Sequence, residues 1–110
     1  MGDSSIFTRR LKEARLRKGL SQEQLGILAG IDEFSASARM NQYERGKHVP
    51  DLSTITRIAA ALEIPVAYLF ADDDRLARLI EVFSSLPEAL QEQLMLIAND
   101  LNGGGREAGD

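Results

Sequence analysis

The sequence predicts an all-α fold, and three observations predict it. Apolar residues recur at helical spacing along nearly the whole chain, no run alternates β-branched or aromatic residues as a strand does, and glycine or proline falls where helices would end. The first helix covers about Ser5 to Lys18, with Phe7, Leu11 and Ala14 on one face and basic residues elsewhere; Gly19 supplies a left-handed stop. Ser21 and Gln24 have the spacing of a capping box for a short second helix, which turns Leu25, Leu28 and Ala29 inward and ends at Gly30.

Ile31 to Phe34 reads as a turn, and Ser35 or Ser37 caps a third helix that runs to about Glu44 or Arg45 and closes at Gly46. Met40 and Tyr43 share its inner face, while Ser37, Ala38, Asn41 and Gln42 point outward. A helix that only covers a core usually carries Lys and Glu outside, so this small, amide-rich face is unusual. Asp51 caps a fourth helix with the strongest inward stripe of the chain: Leu52, Ile55, Ile58, Ala59 and Leu62. Pro65 opens a short fifth helix that ends at Phe70 and adds Leu69 and Phe70 to the core. Asp72, Asp73 and Asp74 form a solvated linker and cap; three successive carboxylates lack the ligand spacing of a cation site.

The sixth helix, about Asp74 to Ser84, sets Leu76, Leu79, Ile80 and Phe83 at i, i+3, i+4 and i+7. A seventh opens at Pro87 and spaces Leu90, Leu94, Ile97 and Leu101 by four, three and four, a heptad-like seam that Met95 and Leu96 widen. Residues 103–110 are rich in glycine and are expected to be disordered.

With 110 residues, 44% apolar and 27% charged, the chain fits one modest domain plus a short appendage. No apolar run approaches the roughly 18 residues of a bilayer span, and the N-terminus lacks the layout of a secretory leader, so a cytoplasmic protein with no membrane contact is expected. The chain has no cysteine and only His48, which removes disulfides, thiolate nucleophiles and multi-histidine sites. The expectation is therefore no enzyme, no cofactor and no metal. The net charge of −4 divides into +3 over residues 1–50 and −7 over 51–110. Charge alone fits an anion-binding first half and unevenly solvated faces about equally well.

Two short helices joined by a turn, the second presenting Ser, Ala, Asn and Gln among basic groups, meet the physical specification of a major-groove reader. Asn and Gln can pair bidentately with adenine, Ser can bond several bases, and Ala can touch a thymine methyl. The segments Leu20-Ser21-Gln22-Glu23-Gln24-Leu25, Ala29-Gly30, Tyr43-Glu44-Arg45-Gly46-Lys47 and Pro50-Asp51-Leu52 resemble the XRE (Cro and lambda-repressor) helix-turn-helix family over about residues 7–70. The resemblance implies a five-helix lambda-repressor-like DNA-binding domain, here followed by two C-terminal amphipathic helices. It implies base contacts from Ser37, Ala38, Asn41 and Gln42, backbone contacts from Gln22, Arg39, Arg45, Lys47 and His48, and a structural ion pair between Arg15 and Glu44.

Two departures from the family pattern stand out. The segment from Gly30 to Glu44 is about four residues longer, so either Asp32, Glu33, Phe34 and Ser35 lengthen the turn or the third helix begins earlier. Gly26 replaces the usual alanine inside helix two, at a cost of roughly 1 kcal/mol in helix propensity, and closer packing on helix three is its expected return. The sequence thus predicts a sequence-specific regulator of double-stranded DNA, a repressor binding a palindromic operator as a homodimer. Residues 1–71 bind DNA and residues 72–102 dimerise through Leu76, Leu79, Ile80, Phe83, Leu90, Leu94, Ile97 and Leu101. The alternatives are an antitoxin-type protein or an adaptor whose last helices grip a protein partner, with the overall acidity favouring the adaptor.

Overall fold

In the computed structural model, residues 2–103 are described, with side chains from residue 6, and every regular element among them is helical. Of the tail expected to be disordered, residues 104–110 lie outside the described residues. The elements are α1 (Gly2–Lys18), α2 (Gln22–Leu28), α3 (Glu33–Glu44), α4 (Leu52–Leu62), a 3-10 turn (Val66–Phe70), α5 (Asp74–Ser85) and α6 (Glu88–Leu101). None of the described helices is long and apolar enough to cross a membrane.

Local chemistry explains the boundaries. Gly19 leaves α1 at φ +76, and the Ser21 hydroxyl accepts from the Gln24 amide while Gln24 Oε1 accepts from the Ser21 amide, closing the capping box. Asp51 caps α4 by accepting from the Thr54 amide at 2.8 Å, and Asp73 caps α5 by accepting from the Arg75 and Leu76 amides. The fifth helix is a 3-10 turn rather than an α-helix, and it buries Tyr68 and Leu69. Phe70, expected in the core, stays half exposed and stacks on Phe7 with ring centroids 5.5 Å apart.

Leu11, Leu25, Met40, Ile58, Tyr68 and Leu69 form the centre of the core. Besides Phe70, two residues expected inside are not. The buried face of α2 runs through Leu25, Gly26 and Ala29, because α3 lies against Gly26, and this rotates Leu28 out to solvent. Leu52 sits in the opening turn of α4, ahead of the buried Ile55, Ile58, Ala59 and Leu62, and is also exposed.

The core does not stop at residue 71. Ala77 of α5 is buried in it and Ile80 packs against it. Arg10, 3% exposed, donates from Nε to the Ala71 carbonyl at 2.9 Å, sits over the Tyr68 ring and pairs with Asp74 at 3.0 Å. Asp74, read from sequence as solvated linker, is thus an anchor between α1 and α5, joined also by Arg9. Beyond Ile80 the α5–α6 hairpin extends away, which makes the molecule 56 × 31 × 22 Å and its radius of gyration 16.7 Å, against about 13 Å for a compact chain of this length.

Candidate nucleic-acid interface

The interface is built on the contact between α2 and α3. A Cβ at Gly26 would lie 2.8 Å from the Ala36 Cβ and 2.9 Å from the Ala36 carbonyl oxygen, so only glycine lets the two helices approach this closely. Gly30 turns the chain at φ +87, and the Ile31 amide donates to the Gly26 carbonyl at 2.9 Å. The third helix then begins at Glu33, not at Ser35 or later, with Asp32 accepting from the Phe34 amide at 3.1 Å. The four additional residues therefore lengthen the helix by a turn, because Asp32 is an effective cap one turn upstream of the serines.

Met40, Tyr43 and Ala36 fix α3 in the core and leave Ser37, Ala38 and Gln42 exposed on its outer face. Asn41 is only half exposed: its Nδ2 lies 3.5 Å from Gln22 Oε1, and Gln22 Nε2 donates to Glu44 Oε1 at 3.1 Å. Glu44 in turn is held by Arg15, from Nε at 2.5 Å and from Nη2 at 3.1 Å, while Arg15 Nη1 reaches the Leu20 carbonyl at 2.9 Å. Arg15 and Glu44 are both largely buried, so a satisfied ion pair at the base orients two surface amides at its tip. After α3, Gly46 at φ +74 reverses the chain, and the Gln42 carbonyl accepts from the Lys47 amide at 2.9 Å, which holds the loop beside the end of the helix.

The basic residues separate into two groups. On α1, Arg9, Arg10, Arg15, Arg17 and Lys18 each bond a carboxylate: Asp74 for the first two, then Glu44, Glu81 and Glu63. Arg39, Arg45 and Lys47 are exposed, and among the described residues none of them enters an ion pair. Unpaired positive charge is therefore gathered around the outer face of α3 and the loop after it, and on α1 the exposed Lys12 is in none of these ion pairs either. His48 is exposed on that loop, at the edge of a shallow depression it shares with Arg39 and Gln42. Among the described residues no group of three or more His, Asp or Glu is arranged to hold a metal ion.

Sequence reasoning missed two residues here. Arg57 donates to the Ala29 carbonyl at 2.9 Å and ties the end of α2 to α4. Phe34, read as part of a turn, stands in the first turn of α3 with 93% of its surface exposed. Its spacing of three and four residues ahead of Ser37 and Ala38 was the available signal.

A family model described as a helix-turn-helix domain matches residues 6–69. The chain belongs to the helix-turn-helix family. Helix-turn-helix proteins bind double-stranded DNA through the second helix of the motif, which in this chain is α3. A solved structure titled as the transcriptional regulator BswR superposes with a TM-score of 0.83 at 48% identity, covering 88% of this chain and 96% of that one. The cryptic phage CTXphi transcriptional repressor RstR of Vibrio cholerae is 27% identical over 101 residues, 87% of each chain. The SPbeta prophage-derived uncharacterized HTH-type transcriptional regulator YonR of Bacillus subtilis (strain 168) is 32% identical over 85 residues, 77% of this chain and 74% of the relative. The helix-turn-helix chain is thus a DNA-binding transcriptional regulator.

Proposed function

We propose that this regulator represses transcription by occupying a palindromic operator as a homodimer in the cytoplasm, with no catalytic step. The observation that carries the reading is the gathering of unpaired Arg39, Arg45 and Lys47 around a face of Ser37, Ala38, Asn41 and Gln42, while the bases of α1 other than the exposed Lys12 are paired with carboxylates within the fold. Asn41 and Gln42 read base edges, Ser37 and Ala38 make the close approach, and Gln22, Arg39, Arg45, Lys47 and His48 lie on phosphates. Residues 1–71 read DNA and residues 72–102 dimerise. Repression follows the relative described as a repressor.

Dimerisation is supported by the apolar face of the α5–α6 hairpin. Leu76, Leu79, Ile97 and Leu101 are all about half exposed or more, and Leu76, Leu79, Ile80, Phe83 and Leu94 line an open groove of roughly 560 Å³ between the two helices. A two-fold pairing of this hairpin presents two α3 helices to half-sites, which such dimers read about 34–36 Å apart.

Site selection from random duplex DNA tests the reading, followed by affinity for the selected and a scrambled duplex at two salt concentrations. The expected result is a palindrome preferred by about a thousandfold or more, with Gln42→Ala losing roughly 1–3 kcal/mol on that site alone. Equal, salt-sensitive binding to both duplexes would overturn it.

A further inference from the structure

The turn that lengthens α3 ends in an aromatic ring that the fold does not use. Phe34 is 93% exposed, the largest exposure of any large apolar residue described, and its backbone amide is already bonded to the Asp32 cap. A phenylalanine left in water forgoes the burial of about 150–250 Å². Its position on the helix is specific. Phe34, Ser37, Ala38, Asn41 and Gln42 follow the i, i+3, i+4, i+7, i+8 pattern of one helical face, so the ring heads the same face that carries the proposed base readers. At 1.5 Å per residue it stands about 12 Å ahead of Gln42, at the N-terminal end where recognition helices meet base edges. The adjacent Asp32 and Glu33 are exposed and acidic, and carboxylates there disfavour phosphate contact, leaving the floor of the groove as the surface this turn can meet.

Building on the operator-binding reading, we propose that Phe34 reads the C5-methyl group of a thymine in the major groove, and so sets the base preference at one position of each half-site. Phenylalanine against a thymine methyl is one of the apolar contacts available on the major-groove edge. The ring gains its missing burial there, and a cytosine, which lacks the methyl, does not supply it.

The test uses the full chain and its Phe34→Ala variant, whose fold is checked by thermal melting. Each is put through site selection, and each is then titrated with the selected duplex carrying uracil in place of one thymine at a time. Uracil removes only the methyl, worth about 0.8 kcal/mol, or about fourfold in affinity. Wild type is expected to lose about fourfold at one thymine per half-site, and Phe34→Ala to lose its preference and its uracil sensitivity at that position while selecting the remaining positions unchanged. Two results overturn the inference and leave operator reading intact: wild type selects a site in which no thymine responds to uracil, or Phe34→Ala keeps the wild-type response. A variant that binds DNA as wild type does but changes in sedimentation overturns it too, by making the ring a protein contact. Failure of wild type to select any site overturns both readings.

Discussion

Gly26 and Ala36 show how one missing methyl group sets the approach of the two motif helices. Helix propensity favours alanine at position 26 by about 1 kcal/mol, but its Cβ would press on a backbone carbonyl at 2.9 Å that cannot move without shifting α3. Overpacking of this kind costs typically 1–3 kcal/mol. Gly26→Ala is therefore expected to lower unfolding free energy by about 1 kcal/mol net, measured by urea denaturation, with its effect reduced in an Ala36→Gly background. Arg15 and Glu44 present the opposite case, a nearly dry ion pair with satisfied bonds. Removing one partner leaves the other charged and buried, so Arg15→Ala is expected to cost about 3 kcal/mol. A double replacement by apolar residues of similar volume should cost less than Arg15→Ala alone, and a double replacement that costs more would contradict this account.

At the scale of elements, carboxylates tie successive helices to α1 and cap helix starts. The Thr54 amide holds the Asp51 carboxyl below its ordinary range, Lys18 does so for Glu63, and Arg9 and then Arg10 do so for Asp74. Because these groups bind protons less readily folded than unfolded, their contribution is present above the ordinary carboxylate pKa and is lost as pH falls through the lowered folded values. The thermal midpoint should thus decline below about pH 4, and Asp74→Asn should lower the midpoint near neutrality while flattening that decline. Melting curves followed by circular dichroism from pH 2 to 7 check both. A decline as steep in the variant as in the wild type would remove Asp74 from the account.

At the scale of the molecule, the shape divides the work. The helix-turn-helix core is closed and well packed, whereas the projecting α5–α6 hairpin keeps Leu76, Leu79, Ile97 and Leu101 in water. The Arg10 and Asp74 anchor joins hairpin to core, so a partner gripping the hairpin would hold α3 in a fixed relation to its copy. If the hairpin carries the proposed dimer, the wild type is expected to sediment as a dimer at micromolar concentration and Leu79→Lys as a monomer. It should weaken binding to the full operator without altering affinity for an isolated half-site. A dimeric Leu79→Lys variant would move the interface elsewhere.

The sequence by itself determined the all-helical class, the glycines that end the first three helices, the caps at Ser21 and Asp51, and the order of motifs that marks the helix-turn-helix family. These are local properties: periodicity, φ preference and side-chain reach over three or four residues act within one element. Only the tertiary structure decided which charges are free, because, Glu13 beside Arg9 and Arg10 apart, the partners of Arg9, Arg10, Arg17 and Lys18 lie 45 to 65 residues away. The start of α3 lay between the two because several polar residues there can cap, and the packing of Ala36 on Gly26 accompanies the choice of Asp32. Leu28 and Leu52 went the same way. A stripe of apolar residues marks a face, but the neighbouring helices determine how much of that face is covered.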